Sequence, residues 1–259
     1  MTNLNVQFGS DFHLSEYGRC IEDSLDSNPE NVLILAGDIS LFNSNTRLVK
    51  DKNYCEGWTG LIDWLSDNFL FTCMVPGNHE FFGQTLEQGI EFMFELNKIR
   101  PDKFIILYNE CVHLKNNIWV AGTTLWSYIP PHSFHITADT TKINEWSLEK
   151  HNKEHSCAES FLNRTLNSDK KWIVVTHHCP STFDTSNFLF SIEDNNHAYS
   201  SSLEKLIQKS CLWIFGHTHW NVCYKHTKEN IGYIISNCQG KKYESTKREY
   251  QKNLTLKVD

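Results

Sequence analysis

The chain has 259 residues, 40% of them hydrophobic and 13% aromatic, which is enough for one large α/β domain or two small ones with a sizeable core. Its formal net charge of −7 argues against a protein that coats nucleic acid, because that affinity comes largely from lysine and arginine neutralising phosphates. A small anionic substrate stays compatible with this charge, since a bound metal reverses the sign of the local field.

Short apolar segments alternate with amphipathic ones along most of the chain. Apolar runs of strand length predict buried strands, and apolar residues three and four apart predict helices. In chain order, we predict strand Asn5–Ser10, strand Val32–Ala36, helix Glu56–Asn68, strand Phe71–Val75, helix Thr85–Asn97, an antiparallel pair within Phe104–Trp126, helix Lys153–Asn167, strand Trp172–Thr176, helix Ser202–Gln208, strand Leu212–Phe215 and an antiparallel pair within Val222–Ser236. The two pairs would turn at Lys115–Asn117 and near Glu229–Gly232. This alternation predicts α/β layering, with a second, mixed sheet packed on the first.

Each of the five buried strands ends in residues that commonly bind metals. Because open α/β sheets gather ligands at the carboxyl ends of their strands, we expect the five loops to converge. Residues two apart in an extended segment point the same way, so each D-x-H or H-x-H motif offers two ligands to one centre. The candidates are Asp11, His13, Asp38, Asn78, His79, Glu80, His177, His178, His217 and His219.

The number and kind of these side chains point to two metal ions. Seven of them are candidate ligands, which is too many for one tetrahedral ion, and a carboxylate is able to bridge two ions. Two-metal centres hold their ions roughly 3.5–4 Å apart and suit in-line displacement at phosphorus. Mixed nitrogen and oxygen ligands fit divalent or trivalent Mn, Fe, Zn or Co, and the sequence does not choose among these.

The five motifs, in their order along the chain, resemble those of the calcineurin-like metallophosphoesterase superfamily. They read D-x-H, G-D, G-N-H-E, H-H and G-H-T-H, and they span Asp11 to His219. The phrases SDFHLSE, LAGDI, VPGNHEFFG, AGTTLW, THHCPS and SNCQG are similar to a stand-alone microbial-type branch of it. The resemblance implies a single metallophosphoesterase domain over residues 1–259, built as a four-layer α/β/β/α sandwich of two mixed β-sheets flanked by helices.

The resemblance also implies roles for individual residues. His79 corresponds to the family's catalytic histidine, and Asp38 would bridge the ions. His178 and Glu80 are expected to support the site rather than to hold a metal, Glu80 as an anchor of its loop. One ion would be held by Asp11, His13, Asp38 and His219, and the other by Asp38, Asn78, His177 and His217. The implied mechanism is attack on phosphorus by a metal-bridging hydroxide, with His79 stabilising the transition state or protonating the leaving oxygen.

Differences between these motifs and those of related enzymes argue against some classes of phosphatase. Protein serine/threonine phosphatases of this superfamily carry arginines in G-D-x-V-D-R-G and L-R-G-N-H-E, whereas this chain reads GDISLFN and VPGNHE. The N-x-x-G turn continues as GKKY instead of the G-Y-P frequent in the microbial branch, so that edge of the pocket is expected to differ. Substrate choice is expected to come from three long loops, Leu41–Gly57, Ser127–Glu145 and Ser181–Ser201, whose aromatic residues either stack on a substrate base or simply pack.

We therefore predict a metal-dependent phosphoric ester hydrolase that acts on a small phosphate monoester or diester, such as a nucleotide. The alternative is a non-catalytic metal-binding scaffold or protein-interaction module with the same fold. No extended nucleic-acid binding and no membrane association are expected, and the oligomeric state is left open. The nine cysteines form no C-x-x-C pair and the N-terminus shows no signal-peptide pattern, so we predict reduced thiols and a cytoplasmic location.

Overall fold

The computed structural model describes residues 3–167, 169–187, 195–225, 232–241, 244 and 248–259. Its strands form two sheets. The first has the order β11-β1-β2-β3-β4, where β1 is Leu4–Gly9, β2 Asn28–Ala36, β3 Phe69–Val75, β4 Phe104–Ile106 and β11 Thr255–Val258. Strands β1 to β4 are parallel, and β11 is antiparallel to β1 at one edge.

The second sheet has the order β5-β6-β7-β8-β10-β9. These strands are β5 Glu110–Lys115, β6 Ile118–Thr123, β7 Lys171–Thr176, β8 Leu212–Phe215, β9 Cys223–Lys225 and β10 Tyr233–Ser236. The four central strands are parallel, and the edge strands β5 and β9 are antiparallel to their neighbours. Both sheets are therefore mixed.

The described α-helices are α1 Leu14–Tyr17, α2 Ile21–Ser24, α3 Gly57–Asn68, α4 Leu86–Leu96, α5 Asp139–Lys142, α6 Leu148–Thr165 and α7 Glu204–Ile207. Short 3-10 helices cover His79–Phe81, Pro131–Ile136 and Asn195–Ala198. Helix α4 begins at a capping box, in which Thr85 Oγ1 accepts from Gln88 N at 3.2 Å and Gln88 Oε1 accepts from Thr85 N at 3.0 Å. None of the helices in the described ranges is long and apolar enough to cross a membrane.

Alternating side chains on the strands divide the core into layers. Residues such as Val6, Ile34 and Val120 pack between the two sheets. Leu33 and Leu35, on the opposite face of β2, pack against residues of α3 and α4. On the other side of the molecule, the outer face of the second sheet packs against α6 and α7. The predicted α/β/β/α sandwich is confirmed.

Three element predictions need correction or fall outside the described residues. Phe104–Ile106 is not part of the antiparallel pair, because β4 runs parallel to β3 in the first sheet. Helix α6 begins at Leu148 rather than Lys153, since Ser147 Oγ accepts from Lys150 N at 3.2 Å and caps it. The turn predicted near Glu229–Gly232 lies largely in residues 226–231, outside the described ranges.

Candidate metal centre

The ends of five parallel strands meet at one edge of the sandwich. Backbone hydrogen bonds join the loops that follow them: Asp11 N donates to Gly37 O, His13 N to Asp38 O, and Gly216 N to His177 O, each at 3.0 Å. The loops after β1 and β8 thus lie against those after β2 and β7. This convergence brings together side chains from Asp11 to His219.

The backbone at this edge is strained. Five of the seven predicted ligands have left-handed φ values, a region that non-glycine residues rarely occupy: Asp11 (57°), His13 (48°), Asp38 (55°), His217 (67°) and His219 (49°). Such conformations cost of order 1–3 kcal/mol each and tend to occur where function requires them.

The first group of donors consists of Asp11, His13 and His219, whose ligand atoms lie within 4.8 Å of one another. His219 Nε2 is 3.2 Å from Asp11 Oδ1 and 3.5 Å from His13 Nε2. The Asp11 carboxylate also accepts from Ser10 Oγ at 2.5 Å and from His217 N at 3.1 Å. Asp11 is fully buried, so these partners fix its orientation.

The second group consists of Asp38, His177 and His217, with Asn78 beside them. His177 Nε2 lies 3.1 Å from Asn78 Oδ1, 3.1 Å from His217 Nδ1 and 3.4 Å from Asp38 Oδ2. His177 Nδ1 donates to Ala36 O at 2.9 Å, which turns Nε2 toward the group.

Asp38 connects the two groups. Its Oδ2 atom lies 3.9 Å from His13 Nε2 in the first group and 3.4 Å from His177 Nε2 in the second. The donors are carboxylate, imidazole and carboxamide, a set suited to two borderline cations that share a carboxylate. The side chains present therefore fit a dinuclear centre.

His79 stands at the open side of this centre. Its Nε2 lies 3.7 Å from Asp38 Oδ2, and its backbone N donates to Asp38 Oδ1 at 2.9 Å. The ring is 24% exposed and lines a cavity together with several of the predicted ligands, whereas His177 is fully buried. Its Nδ1 donates to Glu16 Oε2 at 2.9 Å.

A sequence model described as calcineurin-like phosphoesterase matches residues 8–221 of the chain. The chain belongs to the calcineurin-like phosphoesterase family. Among similar proteins, an uncharacterized protein of Acanthamoeba polyphaga mimivirus is 27% identical over 249 residues, covering 83% of this chain and 84% of its own. Membership confirms the resemblance read from the motifs and supports phosphoester hydrolysis.

Two solved structures share the fold. Phosphopantetheinyl hydrolase from Mycobacterium tuberculosis has a TM-score of 0.62 at 12% identity, over 92% of this chain and 90% of that one. The TT1561 protein of Thermus thermophilus has a TM-score of 0.51 at 12% identity, with coverage of 92% and 90%. At such identities the likeness is one of architecture alone.

The electrostatics of this phosphoesterase centre are dominated by its carboxylates. Burial alone would lower the pKa of His177 and His219, but Asp38 raises the pKa of His177 to about 9 and Asp11 raises that of His219 to about 10. Burial alone would raise the pKa of Asp11, yet His219 and His177 hold it below its ordinary value. A field that holds protons on imidazoles also attracts cations, and metal binding would release those protons.

Glu80 and His178 lie behind the ligands. The fully buried Glu80 carboxylate accepts from the backbone N–H groups of Gly77 (2.6 Å), Ile39 (2.7 Å), Asp38 (2.9 Å) and Ser40 (3.1 Å), so it joins the loops after β2 and β3. Burial and the charge of Asp38 raise the pKa of Glu80. The His178 ring stacks on His217, with centroids 4.0 Å apart and planes at 24°.

Three carboxylates that the motif analysis did not select support predicted site residues. Glu16 accepts from Nδ1 of His13 at 3.0 Å as well as from His79. Glu244 lies 2.5 Å from His219 Nδ1, and Asp139 accepts from Asn78 Nδ2 at 2.7 Å. Glu16 could have been found, because it follows His13 by three residues in DFHLSE. The other two come from distant loops with no motif of their own.

The centre opens into a cavity of about 450 Å³. Segments Thr137–Asp139 and Ser186–Asn187, together with Tyr199, contribute to its wall, so two of the three predicted long loops reach the site. Within the described lining, no residue comes from Leu41–Gly57. Tyr199 is the aromatic loop residue on this wall, and its ring centre lies 5.2 Å from that of His217.

Lys241 and Glu244 form the C-terminal edge of the cavity, where the chain reads GKKY. Their side chains lie 3.7 Å apart, between Lys241 Nζ and Glu244 Oε1. Lys241 is the one lysine or arginine among the described residues that line the cavity.

Proposed function

We propose that this protein is a dinuclear-metal-dependent phosphoric ester hydrolase, acting on a small phosphate monoester or diester such as a nucleotide. The observation that carries the proposal is the position of Asp38. One carboxylate oxygen faces imidazole nitrogens of both donor groups, and the His79 ring lies 3.7 Å from the same oxygen on the cavity side.

The side chains divide into two sets of ligands that share Asp38. One set would be Asp11, His13, Asp38 and His219, and the other Asp38, Asn78, His177 and His217. When bound, a pair of such cations acidifies a water molecule and neutralises phosphoryl oxygens. The chain itself holds the donors in place through the strained loops and the buried carboxylates behind them.

His79 would act on the leaving oxygen. Burial alone would lower the pKa of His79, but Asp38 and Glu16 outweigh burial and raise it to about 9. Before metal binds, the ring therefore carries a proton near neutral pH. Because Glu16 accepts from Nδ1, the Nε2 proton is the one available to the cavity. A positioned imidazolium stabilises developing negative charge and donates a proton to the departing alkoxide.

The cavity favours a small substrate of limited charge. Its volume of about 450 Å³ lies at the lower end of the usual range for small-molecule sites, roughly 300–1,000 Å³. Lys241 is itself partly engaged by Glu244. With no arginine among the described lining residues, most charge neutralisation would have to come from the ions.

Removing a ligand from the second group tests the proposal. We expect Asn78→Ala and His217→Ala each to lower bound metal and, with it, hydrolysis of chromogenic phosphate mono- and diesters by about 10-fold or more, because each side chain lies within 3.1 Å of His177 Nε2. Elemental analysis and initial rates with Mn, Zn, Fe and Co supplied separately provide the measurement. His113→Ala, an exposed histidine on β5, is the matched control.

The scaffold alternative gives a different result. A scaffold would take up metal and lose it in the Asn78 and His217 variants, yet the wild-type protein would hydrolyse none of the esters with any of the four metals. Undiminished hydrolysis by both variants would instead refute the site assignment.

A further inference from the structure

We propose that Asp139 is a positioning residue that fixes the side-chain orientation of Asn78 and so sets metal affinity in the second group. This inference rests on the proposed function, since it concerns a ligand of that centre. Asp139 Oδ1 accepts from Asn78 Nδ2 at 2.7 Å, while Asn78 Oδ1 lies 3.1 Å from His177 Nε2. The NH₂ group of the Asn78 carboxamide thus faces Asp139, and its oxygen faces His177.

The orientation of a carboxamide matters at a cation. Its oxygen is an acceptor that binds a metal, whereas its NH₂ group is a donor that repels one. The two orientations occupy the same volume, so packing alone does not distinguish them. A carboxylate accepts hydrogen bonds and, when ionised, donates none. Asp139 therefore selects the orientation in which the amide oxygen faces the ligands.

Asp139 and its partner Asn78 are both buried, which makes the hydrogen bond between them energetically important. Asp139 is 2% exposed, and Asn78 is 5% exposed. No lysine or arginine in the described ranges forms an ion pair with Asp139, and the amide of Asn78 donates a hydrogen bond to its carboxyl group. Burying a polar group is costly unless it is hydrogen-bonded, and the bond from Asn78 Nδ2 offsets part of that cost.

The backbone around Asp139 is fixed to the loop that carries Asn78 and His79. Gly83 N donates to Lys142 O at 2.7 Å, and Asn144 N donates to Gln84 O at 2.9 Å. Together with the Asn78–Asp139 contact, these bonds hold the segment along the loop after β3. Because Thr137–Asp139 also lines the cavity, the wall that would meet a substrate is joined directly to a predicted ligand.

Asp139→Ala and Asp139→Asn provide a matched pair. Alanine removes the acceptor, whereas the oxygen of asparagine still accepts from Asn78 Nδ2 but carries no charge. We expect Mn²⁺ titrated into metal-free Asp139→Ala to bind its second ion about 10- to 100-fold more weakly than in the wild-type protein. Asp139→Asn should stay within about threefold of the wild type, by calorimetry and elemental analysis.

A second background separates orientation from folding. In Asn78→Asp there is no amide to orient, and two carboxylates face each other. Adding Asp139→Ala there should therefore cost clearly less Mn²⁺ affinity than the same change costs in the wild-type background. General damage to the fold would lower affinity by the same factor in both backgrounds.

Several results would overturn the inference. They are equal Mn²⁺ binding by wild type and Asp139→Ala, an equal loss in Asp139→Asn, or a loss of the same size in the Asn78→Asp background. These outcomes are independent of turnover. A wild-type protein that binds two Mn²⁺ ions but hydrolyses no ester refutes the proposed function and leaves the Asp139 result standing.

Discussion

At the scale of single residues, Glu16 is placed to serve two imidazoles with different tasks. Its carboxylate accepts from Nδ1 of His13, a predicted ligand, and from Nδ1 of His79, the predicted proton donor. Burial alone would raise the pKa of Glu16, but the hydrogen bonds from both histidines lower it to about 2. The residue is thus a fixed anion that turns both Nε2 atoms toward Asp38.

Glu16→Gln should separate these tasks. Glutamine removes the negative charge. Because Glu16 Oε2 contacts both rings, a glutamine oxygen in that position would place its NH₂ group at the site of Oε1, facing Nδ1 of His79. We expect turnover to fall about 10-fold or more, with a larger loss on esters with poor leaving groups, because such groups depend most on proton donation. Rates on a series of aryl phosphodiesters measure this.

Glu22→Gln is the control for that series, since Glu22 lies on the neighbouring α2 and contacts the backbone N of Lys50. A Glu16→Gln enzyme with an unchanged dependence on the leaving group would contradict the assignment. So would a further loss of the same size when the change is added to His79→Ala.

At the scale of elements, the loops after β2 and β3 lie so close together that there is no room for a side chain between them. Gly37 follows β2 with φ of 87°, and a Cβ there would lie 2.7 Å from the backbone N of Gly77, which follows β3. The loops that carry Asp38 and Asn78 therefore touch through bare backbone.

Gly37→Ala should both destabilise the fold and disturb the centre. We expect a loss of about 2–4 kcal/mol in the free energy of unfolding, from the left-handed backbone together with the steric clash. Urea unfolding in the presence of a chelator measures it.

Gly18→Ala isolates the backbone contribution. Gly18 has φ of 60°, and no atom lies within 4 Å of the position that an added Cβ would occupy. Alanine there would therefore strain the backbone without a steric clash. Its expected cost is about 1 kcal/mol. If the two variants lose the same stability, the close approach of the two loops contributes nothing.

At the scale of the whole molecule, acid stability depends partly on a histidine that belongs to none of the five motifs. His151 and His155 share one face of α6, where His151 Nε2 donates to Ser127 O at 2.8 Å and His155 Nδ1 donates to Trp126 O at 2.6 Å. They hold a turn in which Leu125 and Trp126 have left-handed φ values of 70° and 37°. Burial lowers the pKa of His151 to about 4.

The sign of the pH effect follows from this shift. The folded state keeps His151 neutral, whereas the unfolded state protonates it below about pH 6.5, so stability falls between about pH 6.5 and pH 4. We expect the wild-type protein to lose up to about 3 kcal/mol more than His151→Gln over this window. Chelated samples unfolded at several pH values give the difference, with the exposed His113→Gln as control. Parallel curves for wild type and His151→Gln would refute it.

Periodicity was sufficient to predict α/β layering with a second sheet and the five strand ends, because these depend on local properties of the sequence. The four-layer order came from the family resemblance. The pairing of β4 with β3 and of β11 with β1 depends on tertiary packing, which no local pattern in the sequence records. Asp139 and Glu244 were missed for a related reason. A carboxylate that hydrogen-bonds to a ligand can come from any loop that packs beside the site, so its position in the sequence follows no motif.

The pairing of β1 with β11 has a consequence for how the chain folds as it is made. Leu4 pairs with Val258, so β1 meets this edge partner only after all of the intervening chain has been made. Until then, the open backbone edge beside Val6 and Phe8 is a template for other chains. The nascent protein would therefore benefit from chaperones that shield exposed strands, and its yield should depend on the speed of translation.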